Sequence, residues 1–137
     1  MSTLKVPDEG EVALLNLMRG AGFGGSAIKL KLFKSNTTPG NSTVIGDLTE
    51  ADFSGYASAT PSFAAASTVS NKGSMSDSSA RDFTHNGGGT ANTIYGYYVH
   101  DTTANKLLWA ERFDSSQTMT NNGDKITITA KLTLATE

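Results

Sequence analysis

The sequence predicts an all-β protein: an antiparallel β-sandwich, jelly-roll-like, with one short N-terminal helix. Three observations carry that expectation. The stretch Thr93–Phe113, TIYGYYVHDTTANKLLWAERF, holds the single Trp and three of the four Tyr, with a polar turn between two apolar runs. The stretch Lys125–Thr136 alternates strictly, with Ile126, Ile128, Ala130, Leu132 and Leu134 on one face and Lys125, Thr127, Thr129, Lys131 and Thr133 on the other. Gly, Ser, Thr and Asn together make up about two-fifths of the chain, a composition suited to many short strands joined by turns.

The elements follow in order. Met1–Pro7 is read as an extended arm, and residues 8–137 as a single β-sandwich domain that includes the helix. At 137 residues the chain can bury a core without staples, and it has no Cys to form any. Pro7 sits where helices begin, and Asp8, Glu9 and Glu11 place negative charge at the positive end of the helix dipole. Val12, Leu14, Leu15, Leu17 and Met18 recur at helical spacing, and Gly20 can close the helix, which is predicted over about residues 8–19. Gly20-Ala21-Gly22-Phe23-Gly24-Gly25 matches the dinucleotide-binding pattern in letters only. That motif needs a strand before it and a helix after it, and here the order is reversed.

Ile28–Phe33 alternates, with Ile28, Leu30 and Leu32 inward and Lys29 and Lys31 on a solvated face. Thr49-Glu50-Ala51-Asp52 has the spacing of a capping box and predicts a helical turn anchored by Phe53 and Tyr56. Tyr56–Thr60 and Ser62–Val69 read as edge strands interrupted by Pro61. Asn71-Lys72-Gly73 reads as a turn, and Ala80–Thr84 as a short strand around Phe83. In the central hairpin, Tyr95, Tyr97 and Val99 are expected on one face and Ile94, Gly96 and Tyr98 on the other. Leu107, Trp109 and Phe113 share a face on the return strand. Large side chains on both faces place this hairpin in the middle of a sheet rather than at its edge. Asn121-Asn122-Gly123-Asp124 is a strong turn signal.

Function classes are narrowed mainly by exclusion. Net charge is −2 with no basic stripe, which argues against a nucleic-acid partner. No apolar run spans a bilayer, so no membrane partner is expected, and the N-terminus lacks the apolar core of a signal peptide. His100, Asp101 and Asp114 do not have metal-ligand spacing, and His85 and His100 read as loop residues. Glu111 alternates with Trp109 and Phe113, which suggests an ion pair or an interface. As one half of a glycosidase pair it would need Asp52, Asp82 or Asp114 beside it. Tyr95, Tyr97, Tyr98 and Trp109 could stack on sugars, although aromatics alternating within strands are more often core. No enzyme activity, catalytic residue, metal or cofactor is expected.

The run TIYGYYVHDTTANKLLWAERFD followed by NNGDKITITAKLTL, with the earlier DLTEADFSGYA, resembles small virion structural proteins of tailed bacteriophages, of the capsid decoration or cement type. The resemblance covers residues 28–134 and is best from residue 93 onward. It implies a structural protein made in the host cytoplasm and carried on the outer capsid surface of the virion. There it would bind the major capsid protein and stabilise the head, as a homo-oligomer, often a trimer. Thr3, Leu4, Lys5 and Val6 of the arm are the candidate partner-binding residues, because an extended segment can add a strand to a partner's sheet edge. A tail, fibre or head–tail connection module and a carbohydrate-binding β-sandwich are the alternatives.

Overall fold

The computed structural model describes Leu15 and residues 27–134. Among the described residues eight strands run β1 (Ile28–Phe33), β2 (Ser67–Val69), β3 (Lys72–Ser76), β4 (Arg81–Thr84), β5 (Asn92–Asp101), β6 (Lys106–Met119), β7 (Lys125–Ile128) and β8 (Lys131–Thr133), with one 3-10 turn at Ile45–Asp47. All strand pairings are antiparallel. One sheet has the order β1-β5-β6, a second β2-β3-β8, and β4 pairs with β7. The chain is an antiparallel β-sandwich, as its composition and alternation predict. Of the predicted helix only Leu15 lies among the described residues; it is helical and fully buried in the main core.

The main core lies between the first sheet and the other two. Ile28, Leu30 and Leu32 of β1 and Ile94, Tyr97 and Val99 of β5 meet Met75, Phe83, Ile126 and Ile128. A second, smaller cluster of Phe33, Leu48 and Tyr98 covers the opposite face of the first sheet, with Ile45, Tyr95, Leu107 and Ala110 packed against it. The centre of the sheet is therefore covered on both sides, which explains the near-continuous apolar run of β5.

The faces of the hairpin differ from strict alternation. Ile94, Tyr97 and Val99 share the main core, while Tyr95 and Tyr98 face the second cluster. The register jumps from Ile94↔Gln117 to Gly96↔Arg112, so Tyr95 stands opposite the four-residue stretch 113–116 of β6, and this bulge breaks the alternation. A second jump between Val99 and His100 separates Leu107, in the second cluster, from Trp109 and Phe113, which pack on the main core. Gly96 sits where β1 and β6 crowd β5. A Cβ there would meet the Glu111 carbonyl and stand 2.6 Å from the Phe33 ring.

The long C-terminal strand is divided. Its inward alternation survives through Ile126, Ile128 and Ala130, but it pairs first with β4 and then, after a break, with β3. The facing chain imposes the break. At Asp77 it turns its carboxylate inward to the Arg81 guanidinium, at 2.7 Å from both Nε and Nη2, and to the N–H groups of Ser62 and Ser79. Burial pushes the Asp77 carboxyl up. Arg81 and the two N–H donors outweigh that and hold it below the ordinary carboxylate range.

Several local readings shift. The turn closing β2–β3 is Ser70-Asn71, both at positive φ (50° and 62°), one residue earlier than Asn71-Lys72-Gly73. The helical turn lies at Ile45–Asp47 rather than Thr49–Asp52, and Asp47 Oδ2 accepts from the Val44 N–H. Residues 56–66 form no ladder; their backbone makes single bridges from Ala59 to Leu30 and from Phe63 to Asp77. The Asn121–Asp124 turn is as predicted. Gly123 has φ +91°, and Asp124 Oδ2 accepts from the N–H groups of Thr120 and Asn121. Those two donors hold the Asp124 carboxyl below its usual range.

Candidate functional site

The residues singled out for chemistry are committed elsewhere. His85 lies in the loop after β4, as expected, but is fully buried there, and its ring stacks on Phe53 at 5.9 Å. Its Nε2 faces the Thr90 carbonyl at 3.0 Å, so it carries the proton, while Nδ1 accepts from the Gly87 N–H. This neutral ring organises the Asn86–Gly89 loop. His100 is also buried, on β5, with Nε2 3.0 Å from Asn105 Oδ1. Asp101 accepts from the N–H groups of Thr103 and Ala104 and shapes the hairpin turn. Among the described residues no three His, Asp or Glu groups come together as a metal set.

Glu111 has a neutral partner, not a cation: its Oε2 accepts from the Tyr97 hydroxyl at 2.7 Å. Burial, reinforced by that carboxylate, pushes the Tyr97 hydroxyl up. Asp52 pairs with Lys34 at 2.7 Å and with Asn92, which hold its carboxyl below the ordinary range. Asp82 accepts from Thr127 and stands 3.7 Å from Lys125. Tyr97 and Tyr98 are buried, Trp109 packs on Phe63 at 5.7 Å, and Arg112 lies 5.1 Å over the Tyr95 ring. Arg112 also donates to the Thr37 carbonyl and Asn36 Oδ1, tying that loop to the sheet. Among the described residues these aromatics pack within the fold.

What the described surface offers instead is a strand edge. The first sheet has two outer edges, and they are treated differently. On β1, the Leu30 N–H and C=O both pair with Ala59, the Leu32 carbonyl accepts from Ala51, and the Lys34 N–H donates to Thr49. The Leu32 N–H donates to the Tyr56 hydroxyl, which in turn donates to Glu50. Lys29 and Lys31 lie under this cover rather than on a solvated face, bonded to Thr60 at 2.7 Å and Glu50 at 3.1 Å. An exposed row of N–H and C=O groups invites foreign strands, and here it is sealed.

β6 is the other edge. Contrary to the expectation of a middle position, among the described residues it pairs with β5 on one side only. At 14 residues it is the longest strand, and it extends roughly 45 Å. Asp114–Thr118 are exposed in succession. Two open troughs flank this edge. One, of about 340 Å³, lies between the Pro39–Thr43 loop and Leu107–Ala110. The other, of about 560 Å³, lies between Glu111–Gln117 and Lys125–Ile128 of β7. Neither is an enclosed apolar pocket of the kind small ligands use. Both troughs border this edge.

The sequence carried one muted sign of this. Asp114-Ser115-Ser116-Gln117-Thr118 continues the hairpin strand without any apolar residue, which is the composition of a strand covered on neither side. The predicted partner-binding residues Thr3, Leu4, Lys5 and Val6, and the Gly20–Gly25 run, lie outside the described residues. No described helix is long and apolar enough to cross a membrane. No protein-family model matches the chain, no curated protein matches its sequence, and no solved structure matches its fold.

Proposed function

We propose that this chain is a non-enzymatic virion structural protein of a tailed bacteriophage, a decoration or cement protein that binds the shell of major capsid protein and stabilises the head. The observation that carries this reading is the β6 edge, unpaired among the described residues, on a sandwich whose other outer edge is sealed. Main-chain donors and acceptors along an edge bind a partner through backbone hydrogen bonds, which suits docking to a repeated protein lattice better than capture of a small molecule. The resemblance of residues 93–134 to virion proteins supports the same reading. On it, the protein sits on the outer capsid surface as a homo-oligomer, a trimer at threefold points, where repeated weak contacts add through avidity.

Cryo-electron microscopy of the virion tests the proposal. The expected result is density on the outer shell at threefold or pseudo-threefold points, in copies that follow the lattice. Density confined to the tail or its vertex overturns the cement role in favour of a connector or fibre. Absence from the particle overturns the virion reading altogether.

A further inference from the structure

We propose that Asn86 is a self-modifying residue: with His85 as base, its side-chain amide closes onto the Gly87 backbone nitrogen and then opens to aspartate or isoaspartate. The inference goes beyond the capsid reading and does not depend on it, because it concerns the chain's own covalent chemistry.

Two Asn-Gly pairs occur in the sequence, Asn86-Gly87 and Asn122-Gly123. A glycine after asparagine has no Cβ to hinder ring closure on its nitrogen. The fold brings the two pairs together, since a Cβ at Gly87 would stand 3.1 Å from the Asn122 Cβ. It also ties both glycine nitrogens to one residue. The Gly87 N–H donates to His85 Nδ1 at 2.9 Å, and the Gly123 N–H donates to the His85 backbone carbonyl at 2.9 Å. An imidazole nitrogen can take up a proton near neutral pH and an amide carbonyl cannot. The same residue therefore primes one amide and holds the other inert.

The other parts of the reaction stand around Asn86. The His85 ring is held in the tautomer that leaves Nδ1 able to accept, because Nε2 donates to the Thr90 carbonyl at 3.0 Å. The Gly88 N–H donates to Asn86 Oδ1 at 3.1 Å, where negative charge gathers when Cγ is attacked. A Cβ at Gly55 would stand 3.1 Å from Asn86 Cγ, so the side chain lies close against that backbone. The Asn86 N–H donates to the Ser54 carbonyl at 3.0 Å and fixes the main chain beneath it. Asn86 and Gly87–Gly89 are exposed, so water reaches the product. Asp124 acts on His85 from the β6–β7 turn, but its carboxylate is held by the Thr120 and Asn121 N–H groups; the Phe53 ring stacked on His85 is neutral.

The step balances within the chain. His85 Nδ1 takes the Gly87 N–H proton as that nitrogen bonds to Asn86 Cγ. The Cγ–Nδ2 bond breaks, and the imidazolium returns its proton to the departing ammonia. Water then opens the succinimide at either carbonyl.

Trypsin separates the two sites, in Asp82–Lys106 and Phe113–Lys125. In folded full-length protein aged in neutral buffer, the amide-to-acid mass shift, located by fragmentation, is expected at Asn86 at least about tenfold faster than at Asn122. Equal rates, or a faster Asn122, overturn the proposal. In His85→Asn the new side-chain oxygen can still accept from the Gly87 N–H but cannot take its proton. Asn86 is expected to slow about tenfold there, with Asn122 as slow as in the parent. A parent-like Asn86 beside a slow Asn122 overturns the role of His85. A variant that unfolds announces itself by a fast Asn122, and the pH profile of the parent then decides. With His85 as base, the Asn86 rate levels off once the ring is wholly neutral. A rate that keeps climbing with hydroxide overturns the assignment.

Discussion

The two outer edges of the β1-β5-β6 sheet have opposite fates. At β1, residues 49–59 bring Thr49, Ala51, Ala59 and the Tyr56 hydroxyl against successive backbone groups, and the lysines of the strand are bonded beneath that cover. At β6, among the described residues, the strand pairs with β5 on one side only, residues 113–116 bulge out of the ladder, and the lower half carries polar side chains in succession. Both edges have the same backbone chemistry. They differ in whether the chain sends a segment back over them. Among the described residues the chain covers β1 with its own segment and leaves β6 paired on one side, which makes the asymmetry the most informative feature of the fold.

The comparison can be broken most severely at its pivot. Gly96 of β5 lies between the two edges, with no room for a Cβ beside the Glu111 carbonyl and the Phe33 ring. Gly96→Ala is expected to destabilise by about 3 kcal/mol or more, because both flanking strands must move. Urea unfolding would measure it, and a loss under 1 kcal/mol would contradict the crowding.

Asp77 gives the next largest effect, in the opposite layer, which is held by charge rather than by either edge. Asp77→Asn is expected to cost about 2–4 kcal/mol at neutral pH, since the Asp77 side chain is fully buried and Arg81 loses its counter-charge. The folded Asp77 carboxyl lies below its ordinary value, so its contribution is complete above about pH 4 and disappears as pH falls through the folded value. Parent stability should therefore decline in acid more steeply than that of Asp77→Asn. A residual slope remains in the variant from Asp52 and Asp124, whose carboxyls are also held low. Parallel stability–pH curves would show that Asp77 is not the group responsible.

Tyr56→Phe probes the sealed edge alone. It removes the oxygen that accepts from the Leu32 N–H, leaving a donor without its partner, at a cost of about 1–3 kcal/mol. Hydrogen exchange at Leu32 should quicken more than at Val99. The smallest effect is expected at the open edge, where Ser115→Ala should change monomer stability by no more than about 0.5 kcal/mol. In the parent monomer, outward amides of Phe113–Thr118 should exchange far faster than those of β1. Equal protection of the two edges would remove the distinction on which the functional reading stands.

How much was legible can be judged at particular residues. Ile126, Ile128 and Ala130 announce their burial by period-2 spacing, and the turn at Asn121–Asp124 announces itself by composition, because both are local properties. The faces of Tyr95, Tyr97 and Tyr98 were not legible. One bulge, residues 113–116 of β6 opposite Tyr95, breaks the alternation, and a bulge arises from the fit between two strands rather than from either one. The division of the last strand at Thr129 was hidden for the same reason: its cause, the Asp77–Arg81 clamp, lies some fifty residues earlier in the chain. Glu111 looked like half of an ion pair, and only the cross-strand register shows Tyr97 as its partner.

By itself, then, the sequence determined the class and most of the strands. Side-chain alternation, β-branched and aromatic content, and turn residues act within a few positions of one another, and they suffice to make this chain all-β. Only the tertiary structure decided which strand became the open edge. An edge is defined by what fails to pair with it, and that depends on where distant segments such as residues 49–59 are led by the packing of Phe53 and the hydroxyl of Tyr56.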